Sequence, residues 1–305
     1  MINIGIIGNG FVGSAVAHGF SLWNTLRIYD TDPKLSSDNF NTVANKSDII
    51  FVCVPTPMNL SDAGAIDLSI LDSVMEDLNK NAPPTAVVVI KSTVIPGTTA
   101  KYEEKYPDLK IVFNPEFLSE RTAKLDFNNP SRIILGGSPE ARYPVEKLYR
   151  DRFPHVTIIN TDSESAEFTK YACNCFYATK ISIFNEFYQM AQKQNLDWNS
   201  IMGGMLSSGW INPMHTLVPG TDGNMGFGGK CFPKDINAFI NYFNSADINP
   251  ALMKAAWEKN TEVREEQNWL HIKGARYRSN FKGVRASRNG RRVISIQSAH
   301  RQNLE

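Results

Sequence analysis

A chain of 305 residues, 42% hydrophobic and 21% charged, has the length for two globular domains and the composition of neither a disordered nor a fibrous protein. No run of about 18 apolar residues occurs, which excludes a transmembrane helix. The first residues show no basic segment and no cleavage site, so no signal peptide is expected. Four cysteines in this length do not make a disulfide framework, and the expected compartment is the reducing cytoplasm. The net charge of +1 hides an asymmetry. Residues 271–305 hold nine Lys or Arg and one acid, Glu305, leaving 23 basic and 30 acidic residues in 1–270. The body is mildly acidic and the tail strongly basic.

In chain order, residues 2–7 read as a buried strand, followed by a glycine turn and an apolar helix to about Phe20. Strands are expected at 26–29, 48–54, 86–90, 111–113, 132–135 and 156–159, with helical spacing over 68–79. Strands alternating with helices predict a Rossmann-type α/β fold, a doubly wound parallel sheet covered on both faces. After Asp162 the pattern changes to long helical periodicity, over 163–193 and again from 197. Residues 207–233 are rich in Gly and Pro and read as an ordered loop; helices resume at 234–244 and 250–270. The expected organisation is a dinucleotide-binding domain over 1–162, an all-helical domain over 163–270, and a poorly ordered basic tail over 271–305. The tail has no periodicity apart from 293–296.

Gly8-Asn9-Gly10-Phe11-Val12-Gly13 is a GxGxxG that follows a strand, opens a helix and is succeeded by an acid, Asp30, at the end of the next strand. Gly8 permits the tight turn, Gly10 lets the backbone approach a pyrophosphate, and Gly13 lets helix and strand pack closely. The free N–H groups of the helix start face the phosphates. A carboxylate at Asp30 accepts hydrogen bonds from the adenosine ribose and repels a 2′-phosphate, so NAD is favoured over NADP.

The second informative segment is Gly226-Phe227-Gly228-Gly229-Lys230-Cys231-Phe232-Pro233-Lys234-Asp235. A cysteine beside a glycine-rich loop, at a helix start and near lysines, is expected to have a lowered pKa. Cys231 is open between a nucleophile and a structural thiol. Cys173 and Cys175 read as core thiols of the long helix and Cys53 as part of a buried strand. The five histidines are scattered and no Cys/His spacing suits a metal.

GFGGxCFPKD together with the N-terminal GxGxxG resembles the UDP-glucose/GDP-mannose dehydrogenase family. Pro55-Thr56-Pro57 resembles its cofactor turn and Lys91-Ser92-Thr93-Val94 its KSTV segment. Residues 114–120 resemble NPEFLxE, and residues 167–174 resemble ExxKxxxN. The resemblance covers about residues 1–270, and CFPKD is nearer the UDP-glucose branch than the GDP-mannose branch. It implies oxidation of a UDP-sugar, UDP-glucose to UDP-glucuronate, by two successive NAD. Cys231 forms a thiohemiacetal, then a thioester that water hydrolyses, sulfur being both nucleophile and leaving group. Lys170 and Asn174, four apart on one helix face, stabilise the oxyanion. Asp235 and Thr93 orient the water, and Glu120 acts as base or water-positioning group. Glu116 lies one turn before Glu120 if that segment is helical. The cofactor set it implies is Gly8, Gly10, Phe11, Val12, Gly13, Asp30, Lys34, Thr56, Thr93 and Glu120. The substrate set is Glu116, Phe117, Leu118, Lys170, Asn174, Phe227, Gly228 and Cys231. A homodimer through 163–193 and 250–270 is also implied.

Taken singly, these residues have plainer readings. Lys170 reads equally as a solvated lysine, Asn174 as a satisfied amide, Glu116 and Glu120 as surface acids, and Asp235 as the cap of a helix beginning near 236. The sequence also departs from the family. Arg121 stands where the family has Gly after NPEFLxE, and Lys34 is offset by about one position from the family's basic residue. The third α/β domain that holds the nucleotide half of the substrate is not expected in 305 residues. The alternatives are a 3-hydroxyacid or phosphogluconate-type dehydrogenase, which needs no thiol, or an NAD-binding pseudoenzyme. Nucleic acid is not an expected partner, because no fold-level motif accompanies the basic tail.

Overall fold

The computed structural model describes residues 1–59, 65–272 and 275. The apolar runs become strands: β1 Asn3–Ile7, β3 Ile49–Val52, β6 Val87–Ile90 and β7 Lys110–Phe113 are largely buried, β2 Thr25–Tyr29 is half-buried at the sheet edge, and β4 Met58–Asn59 and β5 Ala65–Ile66 form a small separate ribbon. β8 Ile133–Gly136 and β9 Ile158–Thr161 complete a seven-stranded sheet in the order β2-β1-β3-β6-β7-β8-β9. Between the strands run α1 Phe11–Phe20, α2 Phe40–Asn45, α3 Ser69–Asn81, α4 Thr98–Lys105, α5 Ala123–Asn128 and α6 Pro139–Arg152. One apolar layer, with Leu71, Met75, Val88, Ile90 and Tyr102, covers one face. The other, with Val16, Phe20, Phe51, Phe127 and Tyr149, covers the second, so the doubly wound α/β expectation holds.

One part of the expected parallel sheet is corrected. β8 runs antiparallel to β7, meeting it at Phe113 and Gly136. The link from β7 to β8, residues 114–132, is long enough for a crossover but folds back at the rim: Asn114 Nδ2 donates to Ile134 O at 2.8 Å, and α5 packs through Phe127 on Phe20 of α1. β8 therefore starts close to where β7 stops, and Arg132 is delivered to the same rim as the ends of the parallel strands. Gly8, Asp30, Cys53, Lys91 and Asn114 each follow one of the five parallel strands, on the carboxyl rim where open α/β sheets hold ligands.

The remainder is helical: α7 Ser163–Lys193, α8 Trp198–Ser207, α9 Cys231–Ser245 and α10 Ala251–Val263. Asp162 caps α7 by accepting from Ser165 N at 2.7 Å. α7 buries Glu167, Lys170, Tyr171, Asn174, Cys175 and Ala178, a face of helical spacing that packs on α9 and α10. Glu167 fastens this helix to the rim. Its carboxylate accepts from Gly97 N at 2.7 Å, Thr99 N at 2.8 Å and the Thr99 hydroxyl at 2.6 Å, satisfying the first turn of α4.

Two boundaries differ from expectation. α9 begins at Cys231 itself, so Asp235 lies inside the helix and caps nothing. The helix expected over 250–270 stops at Val263, because Arg264 turns extended (φ −94°, ψ 110°) and drives its guanidinium inward; a short 3₁₀ turn, Asn268–Leu270, follows. Of the expected basic tail, only His271, Ile272 and Ala275 are among the described residues, and the strand-like 293–296 lies outside them. No described helix is long and apolar enough to cross a membrane.

Candidate active site

The dinucleotide end is built on the turn between β1 and α1. Gly8 has φ +90°, and a side chain at Gly13 would stand 2.0 Å from the Gly8 carbonyl, so helix and turn touch through bare backbone. Gly10 has open space on its side-chain position, which suits backbone that a ligand approaches. Phe11 and Val12 form the first turn of α1, half-buried. Asp30 steadies this turn: Oδ2 accepts from Asn9 N at 2.7 Å and Oδ1 from Asp32 N at 2.9 Å. The same Asp30 walls a cleft of about 600 Å³ shared with Tyr29, Pro33, Ser36, Asp38 and Asn39. Two carboxylates stand on that wall, Asp30 and Asp38, the second paired with Arg27 at 3.4 Å. Lys34 is exposed and does not line this cleft, and Arg121 is exposed. Thr56 is buried and its hydroxyl donates to Thr93 O at 2.8 Å, joining the turns after β3 and β6; Thr93 itself is half-buried.

The chemistry-bearing groups meet where the loop after β7, α7 and α9 converge. Lys170, 3% exposed, donates from Nζ to Glu116 Oε1 at 2.9 Å and also to the Glu116 carbonyl. Asn174 Nδ2 donates to Asp235 Oδ2 at 2.6 Å, and Lys234 Nζ to Asp235 Oδ1 at 2.6 Å. Burial works against the charge on Glu116, but Lys170, the Leu118 N–H and Lys91 hold its carboxyl below the usual carboxylate range. Burial works equally against the charge on Lys170, but Glu116, Asp235 and Cys231 raise it, so it stays a cation. Phe117 lies under two cations, Arg132 at 4.4 Å and Lys170 at 5.2 Å from its ring centroid. Phe117 and Leu118 also line a cavity of about 310 Å³ with Lys91, Glu116, Arg132 and Met214.

Cys231 is the first residue of α9, within electrostatic reach of Glu116, Lys170, Asp235 and Lys234. The expectation of a lowered pKa is corrected. Burial pushes the thiol up to about 12, and the carboxylates of Glu116 and Asp235 add to the rise against the pull of Lys170 and Lys234. The helical spacing imagined between Glu116 and Glu120 is also corrected. Residues 114–119 are irregular, so Glu116 turns inward to Lys170 while Glu120, half-exposed, pairs with Lys230 at 3.2 Å. Cys175 is buried; Cys173 is half-buried, with Arg132 3.5 Å from its sulfur; burial raises Cys53, which follows β3, to about 12. All four thiols are free, and among the described residues no cluster could hold a metal ion.

Several residues that position Cys231 carry no recognisable motif. The glycine loop is held by amides from distant helices. Asn185 accepts from Gly226 N at 2.9 Å; Asn260 accepts from Phe227 N at 2.6 Å and returns a hydrogen bond to Phe227 O at 3.0 Å; Asn268 accepts from Gly229 N at 3.0 Å. Arg264, fully buried, donates to Asp222 at 2.6 Å, and its guanidinium occupies the position a side chain on Gly228 would take. At the far end of the loop, Lys180 donates to Met214 O at 2.7 Å, and His215 stacks on Tyr177 at 4.9 Å. Asn and Arg in a helix are common enough that only their shared target, unknowable before folding, marks these out.

The GxGxxG turn at the carboxyl rim of the sheet, with Asp30 after the second strand, is a dinucleotide-binding arrangement. The comparisons name the family. Residues 25–152 match the UDP-glucose/GDP-mannose dehydrogenase family NAD binding domain and residues 164–262 its central domain, and the chain belongs to that family. It is 32% identical over 231 residues to a UDP-glucose 6-dehydrogenase of Pseudomonas aeruginosa, covering 72% of this chain and 49% of the relative. It is 29% identical over 240 residues to a GDP-mannose 6-dehydrogenase of Pseudomonas syringae pv. tomato, covering 73% and 52%. Among solved structures, a UDP-glucose dehydrogenase from Pyrobaculum islandicum superposes with TM-score 0.76 at 27% identity, over 86% of this chain and 68% of that one. The chain spans about half the length of the curated relatives it matches.

A raised thiol pKa has a direct consequence. The thiolate is the reactive form, so burial makes Cys231 slow at neutral pH. In the ligand-free protein, iodoacetamide alkylates Cys231 more slowly at pH 8 than it does an exposed cysteine, and the rate climbs through pH 9 and above, read by peptide mass spectrometry. A rate already flat at pH 7 means that the thiolate is preformed and contradicts this electrostatic picture.

Proposed function

We propose that the chain oxidises the C6 alcohol of a UDP-sugar, UDP-glucose to UDP-glucuronate, with residues 1–162 as the NAD-binding domain and 163–270 as the helical domain that carries the thiol. The observation that carries this reading is the thiol of Cys231 set at the start of α9 between two buried cation–carboxylate pairs, Lys170–Glu116 and Lys234–Asp235. NAD, when bound, accepts a hydride in each of two rounds; one alcohol, two NAD and one water give one carboxylate, two NADH and three protons. The cysteine sulfur adds to the aldehyde carbon, and after the second hydride leaves, the resulting thioester is cleaved by water.

The side chains divide the work by charge. Lys170 remains a cation, so it stabilises the developing oxyanion at C6 and does not take the proton, with the Asn174 amide beside it. Asp235, hydrogen-bonded by Asn174 and Lys234, orients the water with Thr93. Glu120, more exposed than Glu116, acts as base or water-positioning group. Phe117 and Leu118, with Phe227 and Gly228, bound the sugar. The four free thiols fit a cytoplasmic enzyme.

We assign the preference for a UDP-sugar over a GDP-sugar to CFPKD at 231–235, and the test is stoichiometric. Two NADH form per UDP-glucose, and Cys231→Ser lowers the rate at least about a thousandfold. One NADH per sugar, or indifference to the substitution, matches a two-electron hydroxyacid-type dehydrogenase. No turnover of UDP-glucose, GDP-mannose or UDP-N-acetylmannosamine matches an NAD-binding subunit without catalysis.

The proposal includes a homodimer. α7 leaves Phe176, Phe187 and Met190 46–65% exposed, and α10 leaves Leu252 79% exposed, an apolar face suited to a second copy. Sedimentation velocity at micromolar protein gives a dimer on this reading; a monomer at that concentration removes it.

A further inference from the structure

Lys230 stands immediately before Cys231, yet its side chain belongs to the other half of the molecule. As the residue just before α9, it makes no side-chain cap. Instead its ammonium reaches the loop after β7, 3.2 Å from Glu120, and the first turn of α1, 5.7 Å from the ring centroid of Phe11. Phe11 is the first residue of the helix that the GxGxxG turn opens; the first turn of that helix carries no acid of its own, and Asp30 accepts from Asn9 N at 2.7 Å in the turn before it. A cation held at the positive end of a helix dipole is unfavourable by itself. Glu120, half-exposed, offsets part of this charge. A dinucleotide pyrophosphate at the helix start offsets more of it, because ammonium and N–H groups then face the same anion.

We propose that Lys230 is a cofactor-binding residue contributed by the catalytic-cysteine loop. Its ammonium pairs with the pyrophosphate of the bound dinucleotide, so that cofactor occupancy draws the segment carrying Cys231 onto the NAD groove. Lys230 and Cys231 are neighbours on one backbone, so an anion that holds the first limits where the second can stand. The site thereby senses the cofactor before it exposes the thiol to a substrate. The coupling needs a cation of this length at position 230, and no other side chain of the glycine loop supplies one.

The test uses the full chain and three probes: NADH, ADP-ribose and adenosine. Lys230→Met weakens NADH and ADP-ribose binding about tenfold at low salt, flattens the dependence of that binding on ionic strength, and leaves adenosine binding unchanged. Lys230→Arg keeps binding within about threefold of the wild type, because the charge is kept. In the wild type, ADP-ribose changes the alkylation rate of Cys231; in Lys230→Met it does not. Unchanged ADP-ribose affinity and salt slope in Lys230→Met overturn the proposal. Equal loss of adenosine and ADP-ribose also overturns it, since the substitution then acts on the pocket and not on the phosphates.

Discussion

The buried ion pair between Lys170 and Glu116 is the constraint from which the rest of the site follows. It joins the long helix α7 to the loop after β7, so it joins the helical half to the rim of the sheet. Neither charge is free to move toward water, and each alone would be costly inside the protein. The ion pair therefore determines which face of α7 meets the rim. Once that face is set, Asn174 meets Asp235, Glu167 meets the start of α4, and Tyr171 packs on Phe239. Lys91 belongs to the same buried group. Burial lowers it to about 8, it donates to Asn114 at 2.8 Å, and its charge helps to hold Glu116 ionised.

Within this frame the thiol is held in its protonated form at neutral pH. Burial and two carboxylates raise Cys231, while the lysines that lower it are engaged with those same carboxylates. Placement, in contrast, is tightly specified. Backbone N–H groups of Gly226, Phe227 and Gly229 are each taken by an asparagine, from α7, from α10 and from the turn after it. The buried polar contacts of the loop thus go to fixing where the sulfur sits.

The fold was legible because its signals are local. Five β-branched runs, a glycine turn after the first and an acid after the second are enough to imply a doubly wound sheet, and α7 was read to the residue from its uninterrupted period over 163–193. The reversal of β8 was not legible, because it depends on where the irregular link 114–132 folds back on the rim, which contacts such as Asn114 to Ile134 O set only in the folded chain. The motif residues Lys170, Asn174, Asp235, Cys231 and Glu116 come together from three segments, so the cluster, though not the role of each member, was legible. What failed was the local chemistry. A cysteine at a helix start near lysines suggests a low pKa only if the thiol is solvated and the lysines are free; here burial raises it most, and each lysine is paired with a carboxylate. Glu116 and Glu120 look alike in sequence; only the irregular path of 114–119 sends one inward and the other to Lys230.

The account rests on Lys170 and Glu116 acting as one unit that fastens the two halves together. A double-mutant cycle on unfolding free energy, with Lys170→Met, Glu116→Gln and the pair combined, measures this directly. Each single substitution is expected to cost about 3 kcal/mol, since it leaves a buried charge or donor unpaired. The combined variant is expected to cost about 2 kcal/mol less than the two added together. Costs that simply add mean that the two side chains do not depend on one another, and the account is then contradicted.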